Sequence, residues 1–341
     1  MMKKIIILLA VLLSTYHMFG QDTVSVVRVN QQRTFPNNIP AGNYSGITYL
    51  GDSLYAVVSD KSPHDGFFLF KISLDSLTAD IQDVQNLGFK TDSAINGDLE
   101  GIVYVPTSQT FFISRESDNT VHEYAMDGKR TPRQLNIPAA FHRAAVNEGL
   151  ESLAYQENTQ TFWTCNESTL KGDGEQATAE NGVQNRLRLQ SFGPDLQPLH
   201  QYAYLMDKPE ATRKAWVYSD GVSEITALRD SSLLFLEREF YVPSSKLGAF
   251  VSNKLYRVRP NLSLPVEQDV VLTANSPYLD KQLVTQWRTK LSLFNHEIAN
   301  YEGMCLGPTL NNGSQVIILV SDSQDQFGGV LKDWFKTIVL K

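Results

Sequence analysis

The sequence predicts an all-β fold, a β-propeller, on three observations. A strand–turn–strand module recurs five times, aromatic and β-branched strands run almost throughout, and no long amphipathic helical pattern interrupts them. The clearest copy is Asp98-Leu99-Glu100-Gly101-Ile102-Val103-Tyr104 followed by Phe111-Phe112-Ile113-Ser114-Arg115-Glu116. It returns as Leu150-Glu151-Ser152-Leu153-Ala154-Tyr155 with Phe162-Trp163-Thr164-Cys165-Asn166-Glu167, every aligned position displaced by 51 residues. Self-similarity at such a period marks a repeat architecture, in which one unit cannot bury its apolar faces alone.

At the N-terminus, Lys3-Lys4 precede the apolar run Ile5 to Leu13, then Ser14-Thr15 and a cleavage point after Gly20. This predicts a secretory signal peptide over residues 1–20. Residues 21–341 read as a single domain, because radially stacked blades depend on one another. The run Val24 to Val29 is expected to pair with the C-terminal blade and close the ring.

The remaining modules follow in order. Tyr44-Ser45-Gly46-Ile47 leads to Leu54 to Asp60, Val222-Ser223-Glu224-Ile225 to Leu233 to Glu239, and Tyr301-Glu302-Gly303-Met304 to Val316 to Asp322. From the Glu or Ser of each opening to the closing acid the count is 15, 16, 16, 16 and 20 residues. That is a hairpin, with turn chemistry at Pro106-Thr107-Ser108 and Arg229-Asp230-Ser231. Further strands over Phe67 to Ser73, Thr120 to Met126, Arg186 to Phe192 and Lys254 to Val258 bring each blade to about four strands. The alternation Arg186-Leu187-Arg188-Leu189-Gln190 suits a half-exposed strand. The openings are spaced 55, 51, 72 and 79 residues apart, which allows five blades with insertions or a sixth hidden one. Lys171 to Asn185 is an expected surface loop. Asn261 to Asn300 is either a degenerate blade or an excursion, with a short helix over Leu283 to Phe294.

The net charge of −7 argues against nucleic acid, which requires clustered Lys and Arg. No segment after the N-terminal one is apolar for long enough to span a bilayer. The expected location is therefore periplasmic or secreted, and the expected state monomeric. Cys165 and Cys305 make no disulfide framework; a bridge between them and two buried free thiols are both compatible with an oxidising compartment.

An antiparallel hairpin sets the start of one strand beside the end of the next, so Glu100 should lie near Glu116, Glu151 near Glu167 and Glu302 near Asp322. A closed ring would gather these acids at one mouth of the channel. Clustered carboxylates raise one another's pKa unless a cation compensates, and oxygen ligands favour a hard one, Ca²⁺ before Mg²⁺. The candidate metal ligands are Glu100, Glu151, Glu302 and Asp322, with Glu100, Glu151 and Glu302 also the candidate catalytic acids and bases. Arg115 and Arg238 are candidates to hold an anionic substrate, with Glu116, Glu167 and Glu239 lining the wall. A repeated acid beside a turn also serves a plainer end, accepting backbone N–H groups or pairing with an arginine of the next blade. No Gly-x-Ser-x-Gly elbow, metal-spaced histidine pair or phosphate-cradling glycine loop is present.

The stretches Tyr44-Ser45-Gly46-Ile47, Asp98 to Ile102, Asn147-Glu148-Gly149-Leu150-Glu151-Ser152-Leu153, Leu236-Glu237-Arg238-Glu239-Phe240 and Asn300 to Met304 resemble the phytase-like propeller family described as "esterase-like activity of phytase". Ser152, where that motif carries a smaller residue, and Ser223-Glu224, where the acid is displaced by one position, depart from its pattern. The resemblance implies a secreted propeller that hydrolyses phosphate or carboxylate esters with metal assistance. The alternative is a non-catalytic propeller that binds a glycan, a small anion or an envelope protein.

Overall fold

Each recurring module folds as the two inner strands of a four-stranded antiparallel sheet, and there are five such sheets. The computed structural model describes residues 24–145 and 148–341. The expected signal segment, Met1 to Gly20, lies outside these residues, as does Asn147. Blade 1 comprises β2 (Tyr44–Gly51), β3 (Leu54–Ser59), β4 (His64–Leu74) and β5 (Ile81–Ile95). Blade 2 comprises β6 (Leu99–Val105), β7 (Thr110–Arg115), β8 (Thr120–Ala125) and β9 (Arg130–Gln134). In blade 3 these positions are taken by β10 (Leu150–Gln156), β11 (Thr161–Asn166), β12 (Arg186–Phe192) and β13 (Pro198–Leu205). In blade 4 they are β14 (Val217–Ala227), β15 (Leu233–Val242), β16 (Phe250–Val258) and β17 (Lys281–Lys290). Blade 5 joins β18 (Asn300–Thr309), β19 (Gln315–Asp322) and β20 (Phe335–Leu340) to β1 (Val26–Val29) from the other end of the described chain.

The inner strands touch in the order β2, β6, β10, β14, β18 and back to β2, so the ring is closed. Every interface between neighbouring blades holds its own apolar core. Val58 and Phe67 meet Ile102 and Phe111 between blades 1 and 2, and Phe112 meets Phe162 between blades 2 and 3. Leu189 meets Phe235, Leu236 meets Tyr301, and Val320 and Phe335 meet Tyr44 across the other three. Strands sandwiched in this way are apolar on both faces, which is why β15 is buried along its whole length.

The sequence left blade number open, and the structure gives five. Residues 259–280 form no blade; Val266 and Tyr278 bridge to Gln201 and Ala203 on the outer strand of blade 3. The helix expected over Leu283 to Phe294 is instead β17, the outer strand of blade 4. The helical spacing of Leu283, Trp287 and Leu291 is outweighed there by backbone pairing with β16. Arg188 is fully buried, not on a half-exposed strand: Asp173 from the Lys171 to Asn185 loop grips its Nε at 2.6 Å, and the carbonyls of Gln268 and Val270 cover it. Cys165 and Cys305 are free and buried in separate interblade cores.

One irregularity is common to all five blades. The pairing of the two innermost strands slips between Tyr44 and Gly46, Leu99 and Ile102, Leu150 and Ser152, Val222 and Glu224, and Tyr301 and Gly303. Such a bulge leaves one residue unpaired and re-aims its side chain. The re-aimed positions are Ser45, Glu100, Glu151, Ser223 and Glu302. The glycine that follows in three blades has a steric cause: a Cβ on Gly46 would lie 2.2 Å from the Glu100 carbonyl oxygen of the next blade, and one on Gly101 2.8 Å from that of Glu151.

Candidate functional site

The bulges and the ends of the second strands meet at one mouth of the channel, around a cavity of about 240 Å³. Eight carboxylates line it: Asp60, Asp98, Glu100, Glu116, Glu151, Glu167, Glu302 and Asp322. Lys61 and Arg238 are the cations among its lining residues, with Ser219, Asn300 and Gln324 as neutral polar groups. The expected neighbours Glu100 and Glu116, Glu151 and Glu167, and Glu302 and Asp322 are all present in this one pit.

The pit has two chemically different sides. On one, Arg238 donates to Glu167 at 2.6 Å and to Asn300 Oδ1 at 2.9 Å, and it lies 3.3 Å from Glu302. Asn300 Nδ2 donates to Glu302 at 2.8 Å, and the Gln324 backbone N–H to Asp322 at 2.7 Å. Glu302 and Asp322 are therefore already engaged. On the other side, ligand atoms of Asp60, Asp98 and Glu100 lie within 4.8 Å of one another, as do those of Glu100, Glu116 and Glu151. Lys61 pairs with Asp60 at 2.7 Å and Asp98 at 3.1 Å, and the Gly149 N–H donates to Glu116 at 2.9 Å. Among the described residues no hydrogen bond is donated to the carboxyl of Glu100 or Glu151, and the buried Oδ1 of Asp60 is orphaned. A hard divalent cation fits that donor set.

Electrostatics follow from this crowding. Burial, and then the charges of Glu302, Asp60 and Glu116, hold Glu100 well above the usual carboxylate range. Glu151 is raised by burial and then by Glu167 and Glu100. Glu302 is raised by burial and Asp322, against the pull of Arg238. Burial pushes Glu116 up to about 7, with Glu167 adding to the effect, and Asp60 up to about 6, with Asp322 adding. Burial works against the charge of Arg238, yet Glu302, Glu167 and Glu151 outweigh it and keep the guanidinium protonated.

Two sequence candidates do not reach the pit, for one reason. Successive side chains on a strand point to opposite faces, so only one of Arg115 and Glu116 can face the channel. It is Glu116. Arg115 turns to Asp65 of blade 1 at 3.3 Å and Asp118 at 2.7 Å. In blade 4 the register is one residue earlier than expected: Val222 pairs with Glu237, as Leu99 pairs with Arg115 and Leu150 with Asn166. Arg238 thus occupies the position that holds Asp60, Glu116, Glu167 and Asp322 in the other blades. Glu239 faces away and holds the loop before β14, accepting the N–H groups of Glu210 and Ala211 at 2.8 Å each. The count contained the signal: Ser223 to Arg238 spans 15 residues, as does Ser45 to Asp60. Lys61 and Asp98 were also missed, since no acid recurs at the position of Asp98 and no cation at that of Lys61 in the other copies of the module.

The same slip puts Glu224 where Gly46, Gly101 and Gly303 stand. Its buried carboxyl accepts the N–H groups of Leu153 from blade 3 at 2.9 Å and of Ile225 at 3.0 Å. Burial raises its pKa well above the ordinary value, against those donors and the Met304 N–H of blade 5. The channel's other mouth is a wider cavity of about 650 Å³, lined by Tyr49, Tyr104, Tyr155 and aliphatic residues. Among the described residues only Glu157 and Arg229 bring charge to it.

Strand pairing and pit together define a five-bladed β-propeller with an acidic axial site. The chain belongs to the phytase-like family described as "esterase-like activity of phytase", whose model matches residues 39–324. Among solved structures it is similar to virginiamycin B lyase from Staphylococcus aureus (10% identity, 92% of this chain and 99% of that one, TM-score 0.37). It is also similar to the PQQ-bound aldose sugar dehydrogenase of Streptomyces coelicolor (12% identity, 94% and 98%, TM-score 0.38). A Bacteroides vulgatus protein shares 10% identity over 94% and 99%, with a TM-score of 0.44. No curated protein sequence matches the chain significantly.

Proposed function

We propose that this protein is an exported hydrolase of phosphate or carboxylate esters, assisted by a divalent cation, and that its site is the axial pit. The observation that carries the reading is the division of the pit into an arginine side and a side where the carboxyls of Glu100 and Glu151 accept no hydrogen bond among the described residues. Glu100, Glu151 and Glu116, with Asp60 and Asp98, would hold the cation, Ca²⁺ ahead of Mg²⁺ because the ligands come from three separate blades. When bound, such an ion supplies Lewis-acid polarisation of an ester oxygen and lowers the pKa of water. Arg238 holds the substrate's anionic group, and Glu167 and Asn300 fix its guanidinium plane. Burial and Asp322 raise the Glu302 pKa against the pull of Arg238, which suits this carboxyl to give a proton to a leaving alkoxide. Export rests on the N-terminal segment; among the described residues no helix is long and apolar enough to cross a membrane.

The test is turnover of a panel of phosphomonoesters and carboxylesters with Ca²⁺ and with chelator. Activity that requires the cation and is lost in Glu100→Gln, with the fold intact by circular dichroism, is the expected result. A protein that releases no product from any ester in the presence of Ca²⁺ overturns the hydrolase reading in favour of a binding module.

A further inference from the structure

The loops on the pit side of blades 4 and 5 carry apolar side chains that the fold leaves in water. Strands β15 and β19 end on this side, and β14 and β18 begin there. Between β17 and β18 the chain makes a tight turn, in which Leu291 bridges to His296 and the Ser292 N–H donates to the Asn295 carbonyl at 2.8 Å. Leu293 and Phe294 form its apex, 71% and 98% exposed. The base of the turn is tied down. The Gly248 N–H donates to the Leu291 carbonyl at 3.1 Å and the Leu291 N–H to the Ala249 carbonyl at 2.8 Å. Leu291 also packs on a small core of Phe240, Val251, Ile298 and Leu331. Turn positions ordinarily take polar residues, so a Leu-Phe pair held outward on an anchored turn needs a reason beyond the fold.

Leu247, itself half-exposed, lies on the β15–β16 loop that anchors this turn. Beside it, Lys246 places its ammonium 5.1 Å from the ring centroids of Trp216 and Phe327. A cation set over apolar groups, with its head left in solvent, is the arrangement that suits lipid headgroup level. Charge in these loops runs against the rest of the molecule. Residues 212–216, 243–248, 290–297 and 324–332 carry the cations Arg213, Lys214, Lys246, Lys290 and Lys332 against the acids Glu297 and Asp325, in a chain of net charge −7. All five cations are exposed, and among the described residues none of them is in a salt bridge. The apolar groups stand out from separate turns and line no groove, which favours a deformable surface over a rigid one. The unpaired cations specify that this surface is anionic.

We propose that this face attaches the exported protein to an anionic lipid bilayer, with Leu293 and Phe294 entering the acyl boundary and Lys246, Lys290 and Lys332 meeting headgroup phosphates. The inference is independent of the hydrolase reading, and its test requires no turnover. The protein is sedimented with vesicles of equimolar phosphatidylglycerol and phosphatidylcholine, and with vesicles of phosphatidylcholine alone, at low and at physiological salt. Binding to the mixed vesicles that weakens with salt, and is at least about tenfold weaker on phosphatidylcholine, is the expected result. Leu293→Ser combined with Phe294→Ser should weaken it roughly tenfold at either salt. Lys246→Gln combined with Lys290→Gln should weaken it roughly tenfold at low salt and less at physiological salt. The four side chains are exposed, so an unchanged melting temperature separates lost binding from a lost fold. No binding of the unaltered protein to the mixed vesicles at low salt, or undiminished binding by the Leu293→Ser, Phe294→Ser variant, overturns the proposal. A dimer that forms without lipid and is lost in that variant overturns it in favour of a second copy of the chain.

Discussion

Arg238 stands at a position where four other blades present an acid, and it is buried between Glu167 and Glu302. Replacing it with methionine keeps the volume but leaves two buried carboxyls without their counter-charge. Breaking a buried pair from one side costs about 3–5 kcal/mol, and denaturant unfolding of Arg238→Met should show a loss in that range. Raising the pKa of Glu167 and Glu302 further would soften the loss at low pH. Glu224 offers the converse case. Burial already disfavours its charge, so Glu224→Gln should cost under about 1 kcal/mol, whereas Glu224→Leu strands buried N–H donors on Leu153 and Ile225 and should cost about 2–4 kcal/mol. Equal losses in the two variants would show that the carboxyl's hydrogen bonds contribute nothing. The repeated acids of the pit and Arg238 were legible from the sequence, but Arg115 and Glu239 were assigned to the wrong face. A one-residue shift in register reverses every side chain, and nothing local to Leu233 to Glu239 marks where pairing with β14 begins.

At the scale of the strand, the shared bulge turns a repeat in sequence into a ring of converging side chains. It depends on close approach of neighbouring inner strands, and Gly46 is its tightest point. A Cβ there meets a backbone oxygen, which cannot rotate aside, so Gly46→Ala should destabilise the protein by about 1–3 kcal/mol. Gly51, where an added Cβ would meet no atom within 4 Å, provides the comparison for crowding, although its φ of 101° adds backbone strain of its own. The inner hairpins and third strands were legible because β-branched and aromatic runs bounded by turn residues admit few other readings. Strand β17 was not: its burial alternates irregularly and its apolar residues fall at helical spacing, so only the exposed edge of β16 settles its conformation.

Across the whole molecule, closure and crowded charge set the stability. Deleting Val24 to Val29 removes β1 and bares the edge of β20, so the truncated protein should melt several degrees lower and aggregate on heating. The pit makes stability depend on pH. From ordinary values of 3.8 and 4.5, Asp60 rises to about 6 and Glu116 to about 7 in the fold. The native state therefore holds more protons than the unfolded chain between those limits. Their contribution is complete below about pH 4 and is lost as pH rises through 7. In chelator the melting temperature should fall between pH 5 and pH 8, and added Ca²⁺ should raise it most at pH 8, where the carboxyls are free to bind. A flat profile in chelator would show that the pit's carboxyls titrate as they do in water.

The sequence alone determined the propeller, its closure by the N-terminal strand and the gathering of Glu100, Glu151 and Glu302, because periodic apolar patterning and hairpin geometry act within short stretches of chain. Only the tertiary structure decided which face Arg115, Arg238 and Glu239 present, and that the pit divides into an arginine side and a side where the carboxyls of Glu100 and Glu151 accept no hydrogen bond among the described residues. Those outcomes depend on the register between strands and on contacts across blades, where a shift of one residue leaves composition and pattern unchanged but exchanges the side chain that meets the channel for the one that meets its neighbour.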